Sequence, residues 1–247
     1  MEAFKRFLDL RNAVFKIRIS GCITEKTLEK LNKDLKKKAW RRPVALAVVV
    51  NSPGGSAAQS SLIRQRLLTF SKQHNIPVFA FAEDLAASGG YYVMSAANEI
   101  YATPASLIGS IGARFSLFGI KGLANKYGIE RRSWASSPLD LNERIDPLKE
   151  LKPETQKWLV GLVQDTGVEF KKVVEEARRG KIKVEEAKRD EALYNGDLFT
   201  AGESLKYGLI DNYGVCDEIM KEMFPNYQVV DLSKVSKYSK LLSMLEE

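Results

Sequence analysis

Apolar and polar residues alternate from Val14 to Ile19, and a period of two predicts a half-buried strand. Past Gly21 the period changes. Between Thr24 and Lys38, Leu28, Leu31 and Leu35 recur at steps of three and four, which puts them on one face of a helix. Val44 to Val50 is continuously apolar over the length of a buried parallel strand and ends abruptly in Asn51-Ser52-Pro53-Gly54-Gly55. Ser56 starts a second helix with Leu62, Ile63, Leu67 and Phe70 as its apolar face, and Ile76 to Phe81 is the next strand. Asp84 to Ala87 reads as a turn into a short helix of small residues, Ser88 to Ala97, followed by a strand at Glu99 to Ala102. Repeats of strand, tight turn and helix predict right-handed βαβ crossovers, so the expected fold class is α/β with a mostly parallel sheet and C-terminal helices.

The second half is less regular. Gly109 to Gly112 is a glycine-punctuated turn, Leu123 to Tyr127 a helix running into Gly128, and Trp134 to Pro153 a loop of small residues, prolines and mixed charges. Glu154 to Arg179 predicts a long helix, Ala201 to Tyr207 a shorter one stopped by Gly208, and the tail from Val215 a helix, a strand and a polar end. Without an internal repeat or low-complexity linker, 1–247 reads as one domain, with an N-terminal helical segment over 1–13 and a C-terminal appendage over 218–247. Phe4, Phe7, Leu8 and Leu10 lie among Lys5, Arg6 and Arg11; Glu2 and Asp9 favour a packed first helix over a targeting presequence. Leu241, Leu242 and Leu245 are expected to pack on their own domain or to serve a subunit contact.

Composition narrows this picture. A chain of 247 residues that is 45% hydrophobic has enough apolar material for a sizeable core. No window holds the ~18 apolar residues of a bilayer span, so no transmembrane anchor is expected. The net charge of +7 invites an anionic partner, but the one basic run, Lys36 to Lys38 with Arg41 and Arg42, has no accompanying aromatic RNA motif; nucleic acid is not expected. Cys22 and Cys216 belong to no CxxC or Cys/His cluster, which points to buried free thiols and to neither a metal nor a disulfide; no cofactor is expected. These features assign no compartment: a soluble intracellular or organellar setting and association with a membrane all stay open.

Two short stretches carry chemistry. A buried strand that turns sharply at Pro53-Gly54-Gly55 exposes backbone N–H groups, and the helix starting at Ser56 adds positive dipole character. Alone, this is an ordinary turn. Ser88 lies after a strand, among neighbours too small to cover its hydroxyl, where it suits either a nucleophile or a helix N-cap.

Asn51 to Ser56 (NSPGGS), Ala87 to Gly112 (ASGGYYVMSAANEIYATPASLIGSIG) and Tyr194 to Asp211 (YNGDLFTAGESLKYGLID) together resemble the signal peptide peptidase A family of Ser/Lys-dyad peptidases. The similarity runs from about Val14 to Asp217. It implies a Clp/crotonase-like fold, a peptide substrate such as a leader-peptide remnant, and ring-forming oligomers of one chain or of this chain with a paralogue. Residue by residue, Ser88 matches the nucleophile, the N–H of Gly54 or Gly55 with that of Gly89 falls at the oxyanion hole, and Ser110 matches the serine that orients the lysine amine.

The lysine itself is missing. The family's segment resembling Lys-x-x-Leu-x-Pro aligns with Asn142-Glu143-Arg144-Ile145-Asp146-Pro147, so Asn142 takes the place of the base, and Trp134 to Pro147 holds no lysine. Lys149 and Lys152, beyond Pro147, are poor substitutes. A lysine with an ordinary pKa of ~10.4 needs roughly 4 kcal/mol of environment to act as a base near neutrality, and asparagine has no proton-accepting state to tune. Loss of one dyad or triad member costs other serine proteases up to ~10⁶ in rate. The expectation is therefore a serine peptidase acting through Ser88, or an inactive scaffold or regulatory subunit of a ring. A Clp-type Ser-His-Asp triad is disfavoured because the sole histidine, His74, precedes Ser88 in what reads as a surface turn. A crotonase-like acyl-CoA enzyme is disfavoured by Ser-Gly-Gly-Tyr-Tyr.

Overall fold

A computed structural model describes residues 12–36, 42–137 and 141–234. It divides into two compact units: the described residues up to Gly112 together with those from Phe170 onward, and Ala113–Glu169.

The first unit is organised by one sheet. β1 (Asn12–Ser20) runs parallel to β2 (Arg42–Ser52), which runs parallel to β3 (Val78–Ala87). On its far side β3 pairs in succession with β4 (Glu99–Ala102) and β5 (Leu107–Gly109), both parallel. β6 (Leu198–Thr200) closes one edge antiparallel to β5; β7 (Asn212–Tyr213) lies beside β4 and β8 (Gln228–Asp231) beside β1. The α/β class and the mostly parallel sheet are as expected. β2 reads as an unbroken apolar run because both of its faces are covered: Leu46, Val48 and Val50 enter the larger core, Ala45, Ala47 and Val49 a smaller one with Phe79, Phe81 and Tyr101.

Helices cover the larger core. In α1 (Glu25–Lys36) the leucine spacing buries Leu31 and Leu35. α2 (Ala57–His74) begins at Ser56, whose hydroxyl accepts the Gln59 N–H at 3.3 Å, and buries Ile63, Leu67 and Phe70. α3 is Gly89–Met94. α6 (Pro153–Ala177) matches the long helix expected; its last residues belong to the first unit. A 3₁₀ turn (Glu186–Lys188) and α7 (Arg189–Ala192) lead to α8 (Ala201–Tyr207), which has a Thr200/Glu203 capping box and stops at Gly208 in the left-handed region. α9 (Cys216–Met223) instead covers the smaller core, with Cys216 and Met220.

Several sequence expectations give way. Asp84 to Ala87 is strand rather than turn, because Leu85 to Ala87 find hydrogen-bonding partners in Leu107 to Gly109 and Ala86 pairs with Ser52. The helix expected from Ser88 to Ala97 covers only Gly89–Met94. His74 ends α2 rather than lying in a surface turn, half-buried against the Phe70 ring 4.6 Å away. Cys216 is buried, and burial pushes its thiol up to about 12, but Cys22 is exposed on the turn after β1; both are free. The first helix expected over 1–13 lies outside the described residues except for Asn12 and Ala13, which belong to β1, and the polar end with Leu241, Leu242 and Leu245 also lies outside them.

In the second unit, α4 is Lys121–Lys126 and α5 is Leu141–Arg144, a short turn of helix inside the stretch expected to be loop. The unit is pinned by the Ile120 N–H to Pro147 carbonyl bond at 2.8 Å and by Arg131 against the buried Asp146 carboxylate at 3.4 Å.

Candidate active site

Two glycine turns meet at the carboxyl ends of β2 and β3. At the first, Ser52-Pro53-Gly54-Gly55, the backbone of Gly54 takes φ +97°, a conformation that L side chains rarely adopt. Gly54 also has no space: a Cβ there would lie 2.7 Å from Gly89 N and 2.8 Å from Ser88 Cβ. At the second turn, a Cβ on Gly89 would run into the Ser60 hydroxyl, and one on Gly90 would sit 2.9 Å from the Ser52 carbonyl oxygen. Gly54 and Gly90 are needed because two main chains touch, and Gly89 because the Ser60 side chain fills the space beside it.

Ser88 is the hinge of the second turn. It occupies the N-cap position of α3 with φ 50° and ψ −121°, and its side chain makes no capping hydrogen bond. Positive φ is uncommon for a non-glycine residue and costs on the order of 1–3 kcal/mol, so the surrounding contacts have to hold it. One is the Ser88 N–H donated to the Gly109 carbonyl at 2.8 Å. The hydroxyl is left partly exposed at a strand-to-helix corner, while Gly89 and Gly90 are buried behind it.

That bond brings Gly109 and its chain neighbour Ser110 beside Ser88. Ser110 is itself at φ 49°, and its N–H donates to the Asp197 carbonyl at 2.6 Å. Within this unit, and among the described residues, neither the Ser88 nor the Ser110 hydroxyl has a hydrogen-bond partner. Gly54, Gly55, Ser88, Gly89 and Ser110 all belong to this unit. Asn142 belongs to the other, in α5, with its side chain exposed. There Lys149 is engaged by Glu143, whose carboxyl is held below its ordinary range by the hydrogen bonds from Lys149 and Ser133.

Residues that the sequence reading passed over support the turns. The buried Ser52 hydroxyl donates to the Gly21 carbonyl at 2.6 Å and accepts the Gly54 N–H at 3.1 Å. The Gly54 carbonyl in turn accepts the Ile23 N–H at 2.8 Å, so the turn after β1 braces the glycines. Tyr91, fully buried on α3, donates to the Leu209 carbonyl at 2.8 Å; burial pushes its phenol well above the ordinary range. Arg178 donates to the Gly208 carbonyl and grips Asp211 with both terminal nitrogens, at 2.7 and 3.1 Å. Burial raises the Asp211 carboxyl, but hydrogen bonds from Arg178, Lys181 and the Ile100 N–H outweigh it and leave it below 3.8. Gly-Leu-Ile-Asp thus anchors structure. Ser52 carried no distinguishing signal, since a serine before Pro-Gly-Gly is a common turn residue and its acceptor lies 31 residues earlier.

The model of peptidase family S49 matches residues 71–229. Over 174 residues, 70% of this chain, the sequence is 29% identical to Protease 4 of Salmonella typhi, of which the match covers 27%. Over 180 residues, 73% of this chain, it is 34% identical to a Brucella abortus (strain 2308) protein named Na(+)/H(+) antiporter NhaA, of which the match covers 24%. This chain therefore spans about a quarter of the length of these two curated relatives. Among the described residues no helix is long and apolar enough to cross a membrane. The solved 1510-N membrane-bound stomatin-specific protease, a mutant in complex with a substrate peptide, aligns with a TM-score of 0.56 at 20% identity over 95% of this chain and 98% of that one; this likeness shows the fold. With its family model covering more than half of the sequence, the chain belongs to peptidase family S49.

Proposed function

We propose that this chain is a serine peptidase subunit of the signal peptide peptidase A type, with Ser88 as nucleophile and peptides or leader-peptide remnants as substrates. The observation that carries the reading is the strained, uncapped Ser88 on a strand-to-helix corner, with Gly54 pressed against it. In the reaction, the Ser88 oxygen attacks the scissile carbonyl carbon as its proton passes to a base. The carbonyl oxygen takes the negative charge and is met by N–H groups of the 54–55 turn and of Gly89. Expulsion of the protonated amine leaves an acyl-enzyme, which water then hydrolyses. Ser110, adjacent in chain to the residue that holds Ser88, is suited to orient the base.

The identity of the base separates two readings. With Asn142 at the lysine position, a neighbouring copy or a paralogue in a ring has to supply the amine; Lys149, engaged by Glu143, is poorly suited to do so. If no subunit supplies one, the chain is a scaffold or regulatory member of the assembly, and Asn142 is the observation favouring that second reading. Treating the native assembly with a serine-directed fluorophosphonate tests the first. Labelling that disappears in Ser88→Ala is the expected result; an assembly that never labels, even as Asn142→Lys, would refute Ser88 as a nucleophile.

A further inference from the structure

We propose that Ser52 is a positioning residue that selects the Gly55 amide, together with that of Gly89, to receive the substrate oxyanion and withholds the Gly54 amide. The proposal rests on the reading of Ser88 as nucleophile and decides a choice that reading leaves open.

Three contacts define the geometry. The Gly54 N–H is occupied, donating to the Ser52 hydroxyl at 3.1 Å. The Ser52 oxygen is itself fixed by its own donation to the Gly21 carbonyl at 2.6 Å, so its lone pair is held toward Gly54. The Gly54 carbonyl is tied to the Ile23 N–H at 2.8 Å. In a planar trans peptide the N–H points opposite to the carbonyl oxygen, so the Gly55 N–H is directed away from Ile23. The two sides of the turn are distinct: a Cβ on Gly55 would strike the backbone of Ile23, whereas one on Gly54 would meet Ser88 and Gly89. Among the described residues the Gly55 and Gly89 amides have no acceptor.

An amide already bonded inside the protein has to break that bond before it can serve an oxyanion; an unoccupied, rigidly aimed one does not. Ser52 thus acts through Gly54 and Gly55 and touches no substrate. Removing its hydroxyl frees the Gly54 N–H and loosens the turn that aims Gly55. A misplacement of about 1 Å at a reacting centre can cost on the order of 10²-fold in rate.

The test uses the full chain labelled with ¹⁵N-glycine, with Ser52→Ala and Ser52→Thr as variants. In the free parent, the Gly54 amide is expected to exchange with solvent at least roughly ten-fold more slowly than that of Gly55. After reaction with a fluorophosphonate, whose phosphoryl oxygen stands in for the oxyanion, the Gly55 and Gly89 amide protons shift downfield and that of Gly54 does not. Ser52→Ala brings Gly54 exchange up to that of Gly55 and lowers the labelling rate about 10²-fold with little change in the unfolding midpoint, while Ser52→Thr restores both. Equal exchange of Gly54 and Gly55 in the parent, or a Gly54 shift in the adduct, would overturn the proposal. If neither the parent nor Asn142→Lys forms an adduct, Ser88 as nucleophile fails, and the exchange comparison alone still decides what Ser52 does.

Discussion

At Gly54 an added methyl group would come within 2.8 Å of Ser88 Cβ and 2.7 Å of Gly89 N; at Gly119, Gly122, Gly161 and Gly167 the same group would meet nothing within 4 Å. The first glycine lies in the sheet unit, the other four in Ala113–Glu169. The large apolar side chains follow the same division: Tyr91, Phe15 and Phe70 are fully covered in the first, whereas Phe118 is 88% and Trp134 90% exposed in the second. Where main chains touch, each residue is dictated by its neighbours, and where side chains stand in the open, substitution is cheap. Asn142 stands in the unit with slack. Exchanging a side chain there is expected to leave the sheet unit undisturbed.

Five measurements break or sharpen this contrast. The largest effect is expected from Asn142→Lys: if the sheet unit is fully formed and only a proton acceptor is lacking, peptidase turnover rises by ~10³-fold or more at unchanged unfolding midpoint. No gain would mean that more than one residue disables the site. Gly54→Ala comes next, costing about 2–5 kcal/mol in denaturant unfolding from positive φ and overpacking, along with more than ~10²-fold in phosphonate labelling. A Gly54→Ala variant that is stable and labels normally would show that the two turns are looser than their contacts imply.

Arg178→Met tests the anchor at the far end of the same unit. It leaves Asp211 without its bidentate partner and is expected to cost about 3–5 kcal/mol. The pH dependence has a definite sign. The folded Asp211 carboxyl is depressed below 3.8, so its contribution is present above that pH and is lost as pH falls through the folded value. Acid titration of stability below about pH 4 should therefore be shallower in Asp211→Asn than in the parent. The smallest effect is expected from Trp134→Ser, within about 0.5 kcal/mol in the isolated chain. A clear drop in the assembled protein alone would mean that another subunit covers this side chain.

The sheet was legible because its strands carry short-range signals: alternation in β1, an unbroken apolar run in β2, and glycine or a capping residue where a helix starts or stops. The extension of β3 to Ala87 was not, since Asp84-Leu85-Ala86-Ala87 has neither pattern and becomes strand through pairing with residues about twenty positions later. Exposure of Cys22 escaped for a similar reason: average burial of cysteine says nothing about one on a turn. Ser88 was visible only beside Gly89, Gly90 and the distant Pro-Gly-Gly. The part played by Ser52 was invisible, because its hydroxyl joins two backbone segments that are apart in the chain.

Local order, the alternation of strand and helix, and the identity of the residues available for chemistry, including the absence of a lysine from Trp134 to Pro147, were determined by the sequence alone, since each follows from neighbours a few positions apart. Which amides are spoken for, which hydroxyls are open and which glycines have no room were decided only by tertiary structure. Those properties belong to contacts between β1, β2, β3 and β5, and a hydrogen bond made there removes a donor that the linear chain still shows as available.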